Sequence, residues 1–360
     1  MLHWSRPGFL IALLPLPILV GCGSGQMPAD MYEGLLERLA NVTEVEVEND
    51  REIIPVPAYP RPRELTLPVE DVRVGFGTFL GLGRCHLVGE ISARNSSLGK
   101  VQSVTARLLY ELRFYRQLQG CIEDVRQSSK GDEEFLAEVQ AIATRKRVNL
   151  PAVFWNATFA SPEFRTLMNV AAEPLALDAE PATADITGAL GFITQIGLTL
   201  ESGTDTVDSE SLESRYFVLQ SGKLIGPLLQ GMAVSRDYLQ RGTRLLETVA
   251  SQNRLCPMGR KTRRGEYFFN VFQKYYIGEA QPYLSLLHTR ARPIFEGLSD
   301  LFKSQKVPVP PAFQAFYDAT LNPDIGTSLW VGFNDDIARH THAWQQVLGQ
   351  CDLMPKPPKI

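Results

Sequence analysis

From Phe76 onward, apolar side chains return every three or four positions, the spacing that gathers them on one face of an α-helix. Leu108, Leu109, Leu112, Tyr115 and Leu118 form one series. Phe135, Leu136, Val139 and Ile142 form another, closed by Arg145-Lys146-Arg147, cations that would complement a helix C-terminus. Asp185 heads a third through Ile186, Leu190, Ile193 and Leu200. A fourth follows Asp208 and reaches Ser251 through Leu228, Met232, Leu239, Leu246 and Val249, with a kink or break expected at Gly222, Gly226 and Pro227. Helices are also expected over 265–305, 311–320 and 327–350, and over 31–39 behind an Asp30 cap. Residues 148–170 read as short helices broken by Pro151 and Pro162. Around Ser221-Gly222 a β-hairpin is the alternative to helix, and helix is preferred. Period-two alternation is too rare for a large sheet. Between 55 and 68 stand Pro55, Pro57, Pro60, Pro62 and Pro68, which fix φ and lack an N–H, so this stretch should lie extended over the main body. The pattern predicts an all-α fold: a multi-helix bundle with an extended Pro-rich N-terminal arm.

The first residues follow a different logic. His3 and Arg6 make a weakly basic start, and an apolar run extends from Phe9 to Val20, interrupted by Pro15 and Pro17. It is too short for a membrane span, which takes ~20 apolar residues, and reads as the core of a secretory signal. It ends in Leu19-Val20-Gly21-Cys22, which is similar to a bacterial lipobox. In proteins with that motif the Cys thiol takes a diacylglyceryl group, the signal is cut before the Cys and the new amine is acylated. Two or more acyl chains give stable anchoring, each buried CH₂ contributing ~0.8 kcal/mol. Gly23 follows Cys22, not the Asp usual in lipoproteins held at the inner membrane, so the resemblance implies lipid anchoring to the periplasmic face of the outer membrane. The expected organisation is a signal peptide over 1–21; a tether, short helix and Pro-rich arm over 22–68; a helical domain over 69–352 with a possible sub-boundary in the acidic, Ala/Pro-rich 171–184; and a loose tail over 353–360.

Charge and cysteines narrow the class. With 36 Lys and Arg against 40 Asp and Glu the formal charge is −4, which argues against a nucleic-acid partner. Four cysteines remain besides Cys22. In an oxidising compartment an even set predicts disulfides. Of three possible connectivities, Cys85–Cys121 with Cys256–Cys351 is favoured. The first would close a helical hairpin whose arms, about 85–97 and 104–121, nearly match in length, with a last turn frayed near Gly120. The second would tie the C-terminal helix to the middle of the chain. Four free buried thiols are the bland alternative, and no C-x-x-C spacing points to metal.

The candidate chemistry is thin. Glu90 and Arg94 are spaced i,i+4 on a helix, and Glu111 lies on the following arm with Tyr110 and Arg113. Paired carboxylates beside an Arg could do acid–base work; as structure they would cap helices and form ion pairs, the reading that carries more weight. Asn95 belongs to the same polar run. Tyr276, Gln281 and Tyr283 could line a groove for a glycan or peptide, or sit in the core. Asp335, Asp336, His340 and His342 resemble metal ligands in type, but His340 and His342 are i,i+2 and point apart, so no metal or other cofactor is expected. Arg260-Lys261-Thr262-Arg263-Arg264 could touch anionic headgroups, yet reads first as a solvated loop. No nucleotide-loop, G-x-S-x-G or H-E-x-x-H motif is present in a fitting context.

The lipobox, Cys85, the run Arg94-Asn95-Ser96-Ser97-Leu98-Gly99-Lys100, Leu109-Tyr110-Glu111 with Cys121, and Gln281-Pro282-Tyr283 together resemble a family of predicted Gram-negative lipoproteins, domain-of-unknown-function family 3080. The resemblance implies an exported, lipid-anchored, mainly helical domain, and brings no activity, cofactor or partner. The leading expectation is a non-enzymatic binding or scaffolding lipoprotein, joined to the membrane by its lipid and to an envelope protein or glycan. The alternatives are an envelope hydrolase or lyase using Glu90 or Glu111, for which both carboxylates should converge in one pocket, and a lipid-binding protein with an apolar cavity.

Overall fold

The computed structural model describes residues 27–48, 54–127, 133–180, 183–202 and 207–354. Cys22, the leader and the last six residues lie outside them. About 74% of the chain is helical, and the described residues hold no strand. α1 (Pro28–Thr43) starts at Pro28, with Met27 as its N-cap and Asp30 in its first turn, so Asp30 complements the helix dipole instead of capping. The Pro-rich arm is extended except for one turn, α2 (Pro62–Leu65). Small helices α3 (Phe76–Gly81), α4 (Val88–Asn95) and α5 (Ser97–Lys100) lead into a long pair, α6 (Val104–Gln127) and α7 (Glu133–Ala157). α8 (Pro162–Leu167), α9 (Thr183–Thr199) and α10 (Ser209–Gly222) follow. Then come α11 (Ile225–Gln252), α12 (Arg263–Val271), a π-helix (Phe272–Ala280), α13 (Gln281–Lys303), α14 (Pro311–Thr320) and α15 (Leu329–Gln350).

α11 is the axis of the larger body. It packs along α15 and also touches α1 and α13. Its buried positions, from Leu228, Leu229 and Met232 through Leu239, Leu245, Leu246 and Val249, recur at helical spacing, as the sequence pattern predicts. α13 lies on α9, and α10 on α8 and α9. The break between α10 and α11 falls at Lys223, in the left-handed region at φ 34°. Beside it, a Cβ on Gly226 would stand 1.8 Å from the carbonyl oxygen of Asn169, so only glycine lets the start of α11 meet that strand of chain. Asp208 caps α10 through the Ser211 N–H. The segment 216–225 is therefore helix and turn, not hairpin.

α7 departs from the sequence reading. It runs unbroken through Pro151, so Arg145-Lys146-Arg147 stands in its middle and terminates nothing. An interior Pro costs ~3 kcal/mol, but Leu150, Val153, Phe154 and Trp155 beside it are all buried. At ~1.5–3 kcal/mol for each large apolar side chain, their burial offsets that cost. Pro162 does mark a boundary, as the first residue of α8 behind a Ser161 cap. α6 likewise passes Gly120 without fraying and extends to Gln127.

The arm lies over α7, as expected, and polar side chains pin it there. Trp155 Nε1 donates to Leu65 O (2.7 Å), and Tyr59 donates to Phe159 O. Asn156 both accepts from Leu67 N–H and donates to Leu67 O, each at 2.8 Å, and Asn149 donates to Glu70 O. Both favoured cysteine pairs form: Cα atoms stand 5.2 Å apart for Cys85–Cys121 and 5.1 Å for Cys256–Cys351. The loop over 171–180 is tied to the body through Leu175, whose N–H donates to Pro227 O and whose carbonyl accepts from Tyr283.

Candidate functional site

A cleft of about 390 Å³ opens between α4–α5 on one side and the α6–α7 pair on the other, under the end of the arm. Its near wall depends on a tight turn. Ser96 Oγ accepts the Gly99 N–H at 3.0 Å and donates to Ala93 O at 2.7 Å, ending α4 and starting α5. A Cβ on Gly99 would lie 2.2 Å from Ala93 O, so the turn requires glycine. It brings Arg94, Asn95 and Lys100 to the cleft, and Arg94 Nη1 donates to Gly99 O.

The floor is charged and buried. Glu111 on α6 and Lys146 on α7 are 5% and 9% exposed, and Lys146 Nζ donates to Glu111 Oε2 at 2.7 Å. The same ammonium lies 4.8 Å from the Phe114 ring centre and 5.4 Å from that of Tyr110, within cation–π range. Tyr110 is held protonated well above the usual phenol range. Burial is the main cause; the Glu111 carboxylate adds to it, Arg94 opposes it and Glu90 adds a little. Arg107, one turn before Glu111, also lines the cleft, and its Nε is buried without a hydrogen-bond partner.

The sequence candidates are distributed as follows. Arg94, Asn95 and Glu111 meet in the cleft. Glu90, half-buried on α4, does not line it, and Arg94 turns to Gly99 O instead of forming the i,i+4 pair with Glu90 that the spacing allows. Tyr276 and Tyr283 are both buried, in different surroundings. Tyr276 stacks with Phe272 and Trp344 and shares a hydrogen bond with Thr341; Tyr283 meets Tyr32 edge-on and donates to Leu175 O. Gln281 is exposed at the start of α13. Asp336 is buried and bonded to Arg236, Gln240 and Arg339, while Asp335 and His342 are exposed. Among the described residues no three His, Cys, Asp or Glu are placed to hold a metal. In the basic run, Thr262 caps α12 and Arg264 pairs with Glu44.

Tyr110 lines the cleft beside Glu111, where the sequence cluster places it; Lys146 and Arg107 are the cleft groups that sequence reasoning passed over or misplaced. A signal for Lys146 existed: it stands four residues from both Ile142 and Leu150, in register with the buried face of α7. For Arg107 there was none, because an Arg one turn from an apolar series is ordinary on any amphipathic helix.

Among the described residues no helix is long and apolar enough to cross a membrane. Neither a curated protein nor a solved structure matches the chain. The family model described as a protein of unknown function (DUF3080) matches residues 32–355, most of the sequence and all of the cleft, and the chain belongs to that family.

Proposed function

We propose that this chain is a lipid-anchored binding protein of the bacterial cell envelope, held at the periplasmic face of the outer membrane through Cys22. Its ligand occupies the cleft between α4–α5 and α6–α7. The address rests on the leader and on Leu19-Val20-Gly21-Cys22 followed by Gly23. Two cysteine pairs at disulfide spacing suit an oxidising compartment. One observation favours binding over catalysis: Glu111, the buried carboxylate of the cleft, is committed to Lys146. An acid–base pair needs a second carboxylate beside it in the same enclosed space; Glu90 lies outside the cleft, and the other lining carboxylates, Glu70 and Asp71, stand exposed at its rim, Asp71 paired with Arg73. The partner is an envelope molecule.

Two measurements test the two halves of this reading. Labelling with radioactive palmitate and mass spectrometry of the mature N-terminus should find acylated Cys22, and Cys22→Ser should abolish both signals. An unmodified thiol in the native protein would remove the anchor. A photo-crosslinking residue at Asn95, in cells with the anchor intact, should capture a discrete partner that the same probe at exposed Asp335 does not. Identical patterns from both positions would discard the cleft.

A further inference from the structure

We propose that the cleft is a binding site for a phosphate group. This rests on the reading of the cleft as a ligand site and adds the chemistry of what it holds. The chain as a whole is acidic, at −4, so a local surplus of cations is informative. Inside the cleft Glu111 is neutralised by Lys146, and at its mouth Asp71 pairs with Arg73. Arg94, Lys100 and Arg107 have no carboxylate in ion-pair range among the described residues, and of the lining groups only Glu70 opposes them.

Arg107 is the most telling of the three. A buried donor without a partner costs about 1–3 kcal/mol, and more on a charged group. A ligand oxygen beside Nε would recover that energy. The remaining donors come from two walls: Arg94, Asn95 and Lys100 from α4–α5, Arg107 and the protonated Tyr110 hydroxyl from α6. A planar carboxylate is satisfied by one guanidinium approaching from one side. A tetrahedral phosphate offers oxygens in several directions, with a charge near −2 as a monoester and near −1 as a diester, and so uses donors on both walls. The cleft also has the size of a small-molecule site, roughly 300–1,000 Å³.

The phosphate can belong to a soluble metabolite or to a lipid headgroup, and the lip of the cleft bears on which. Leu98 and Val101, 81% and 78% exposed, flank Lys100. They are where the apolar part of an amphiphile would rest, and a free phosphate ester would not touch them.

The test is calorimetric titration of the full chain, purified in non-ionic detergent with its disulfides intact. The probes are sodium phosphate, glycerol 3-phosphate and dihexanoyl phosphatidylglycerol below its micellar concentration. Saturable binding is expected with the wild type, at least tenfold weaker in Arg107→Gln and unchanged in Arg260→Gln, which alters an exposed cation of the loop before α12. Should Arg107→Gln not fold, as judged by its melting transition, exposed Lys100→Gln takes its place, with a several-fold loss expected. Weakening of the lipid probe alone by Leu98→Ser with Val101→Ser would assign the headgroup as the source; no change would assign a soluble phosphate. Absence of saturable binding by all three probes, or equal affinity in the cleft variants, overturns the proposal. Capture of a partner from Asn95 would then still stand and would point to a ligand of other chemistry.

Discussion

The buried histidine on α15 shows how one residue ties the body to proton concentration. His340 Nε2 accepts from Trp344 Nε1 at 2.9 Å, and Nδ1 lies 3.1 Å from Thr243 Oγ1, whose own proton goes to Leu239 O. That network assigns the proton to Nδ1 and leaves Nε2 no room for a second. Burial pushes the imidazole down to about 3. An unfolded His titrates near 6.5. Between those values the unfolded chain binds a proton that the folded chain excludes, so stability falls as pH drops through that window and is indifferent to this group above it. The contribution approaches about 1.4 kcal/mol per pH unit. His340→Gln, which keeps a donor and an acceptor but cannot titrate, should flatten the urea-unfolding free energy between pH 6 and 4 by that slope. Parallel pH profiles for the two proteins would refute the assignment. Glu111 and Lys146 make a second residue-scale case. Lys146→Met alone strands a buried carboxylate and should cost about 3–5 kcal/mol, whereas Glu111→Leu together with Lys146→Met should come close to neutral. A double-mutant cycle by denaturant titration reads the difference, and additive single losses would mean the pair is not a unit.

At the scale of elements, the joint between α10 and α11 makes the sharpest demand on sequence. Gly226→Ala would drive a methyl into the Asn169 carbonyl, so the start of α11 must shift or unwind. A loss of about 2–4 kcal/mol is expected, as for other backbone-strain substitutions. Gly191→Ala, on α9 with open space around its Cβ position, should be neutral or slightly stabilising. Thermal melts of the two variants check this, and similar midpoints would show the contact to be soft. The same elements mark what a sequence can reveal. α14 and α15 were legible because amphipathic spacing, Pro311 at a first turn and Ser328 as a cap all agree. Pro151 and the Arg145-Lys146-Arg147 run both signal a helix end locally, so the sequence alone ends α7 too early. The aromatic packing that overrides them, Trp155 and Phe159 against Phe313, comes from more than 150 residues away. The π-helix over Phe272–Ala280 was not legible in the pattern, since nine residues make only about two turns, too few for a separate period to stand out from the helices on either side. The cleft was half legible. Arg94, Asn95 and Glu111 stood out as a polar run beside a helical arm, but the partner of Glu111 lies 35 residues on in another helix.

For the whole molecule, the two disulfides divide the work of holding the chain together. Cys85–Cys121 spans 36 residues and Cys256–Cys351 spans 95. In the chain-entropy description the longer loop restricts the unfolded chain more, about 4.7 against 3.8 kcal/mol. The Cys256–Cys351 bridge clamps α15 to the chain beyond α11, across the best-packed interface of the body. That interface would persist without the bridge, so its removal acts mainly on the unfolded state. Cys85–Cys121 instead joins the turn before α4 to α6, and α4 touches α6 only lightly. Without it, the wall bearing Arg94 and Lys100 is held by few other contacts. Replacing Cys256 and Cys351 with Ser should therefore produce the larger fall in global unfolding free energy, yet leave cleft binding intact. Replacing Cys85 and Cys121 should cost less globally but abolish phosphate binding and speed amide exchange across α4–α5. Denaturant titration, calorimetry and hydrogen exchange on the two double variants separate these effects. If both variants lost stability and binding in the same proportion, the cleft wall would be part of one cooperative unit with the body, and the division of labour would be wrong.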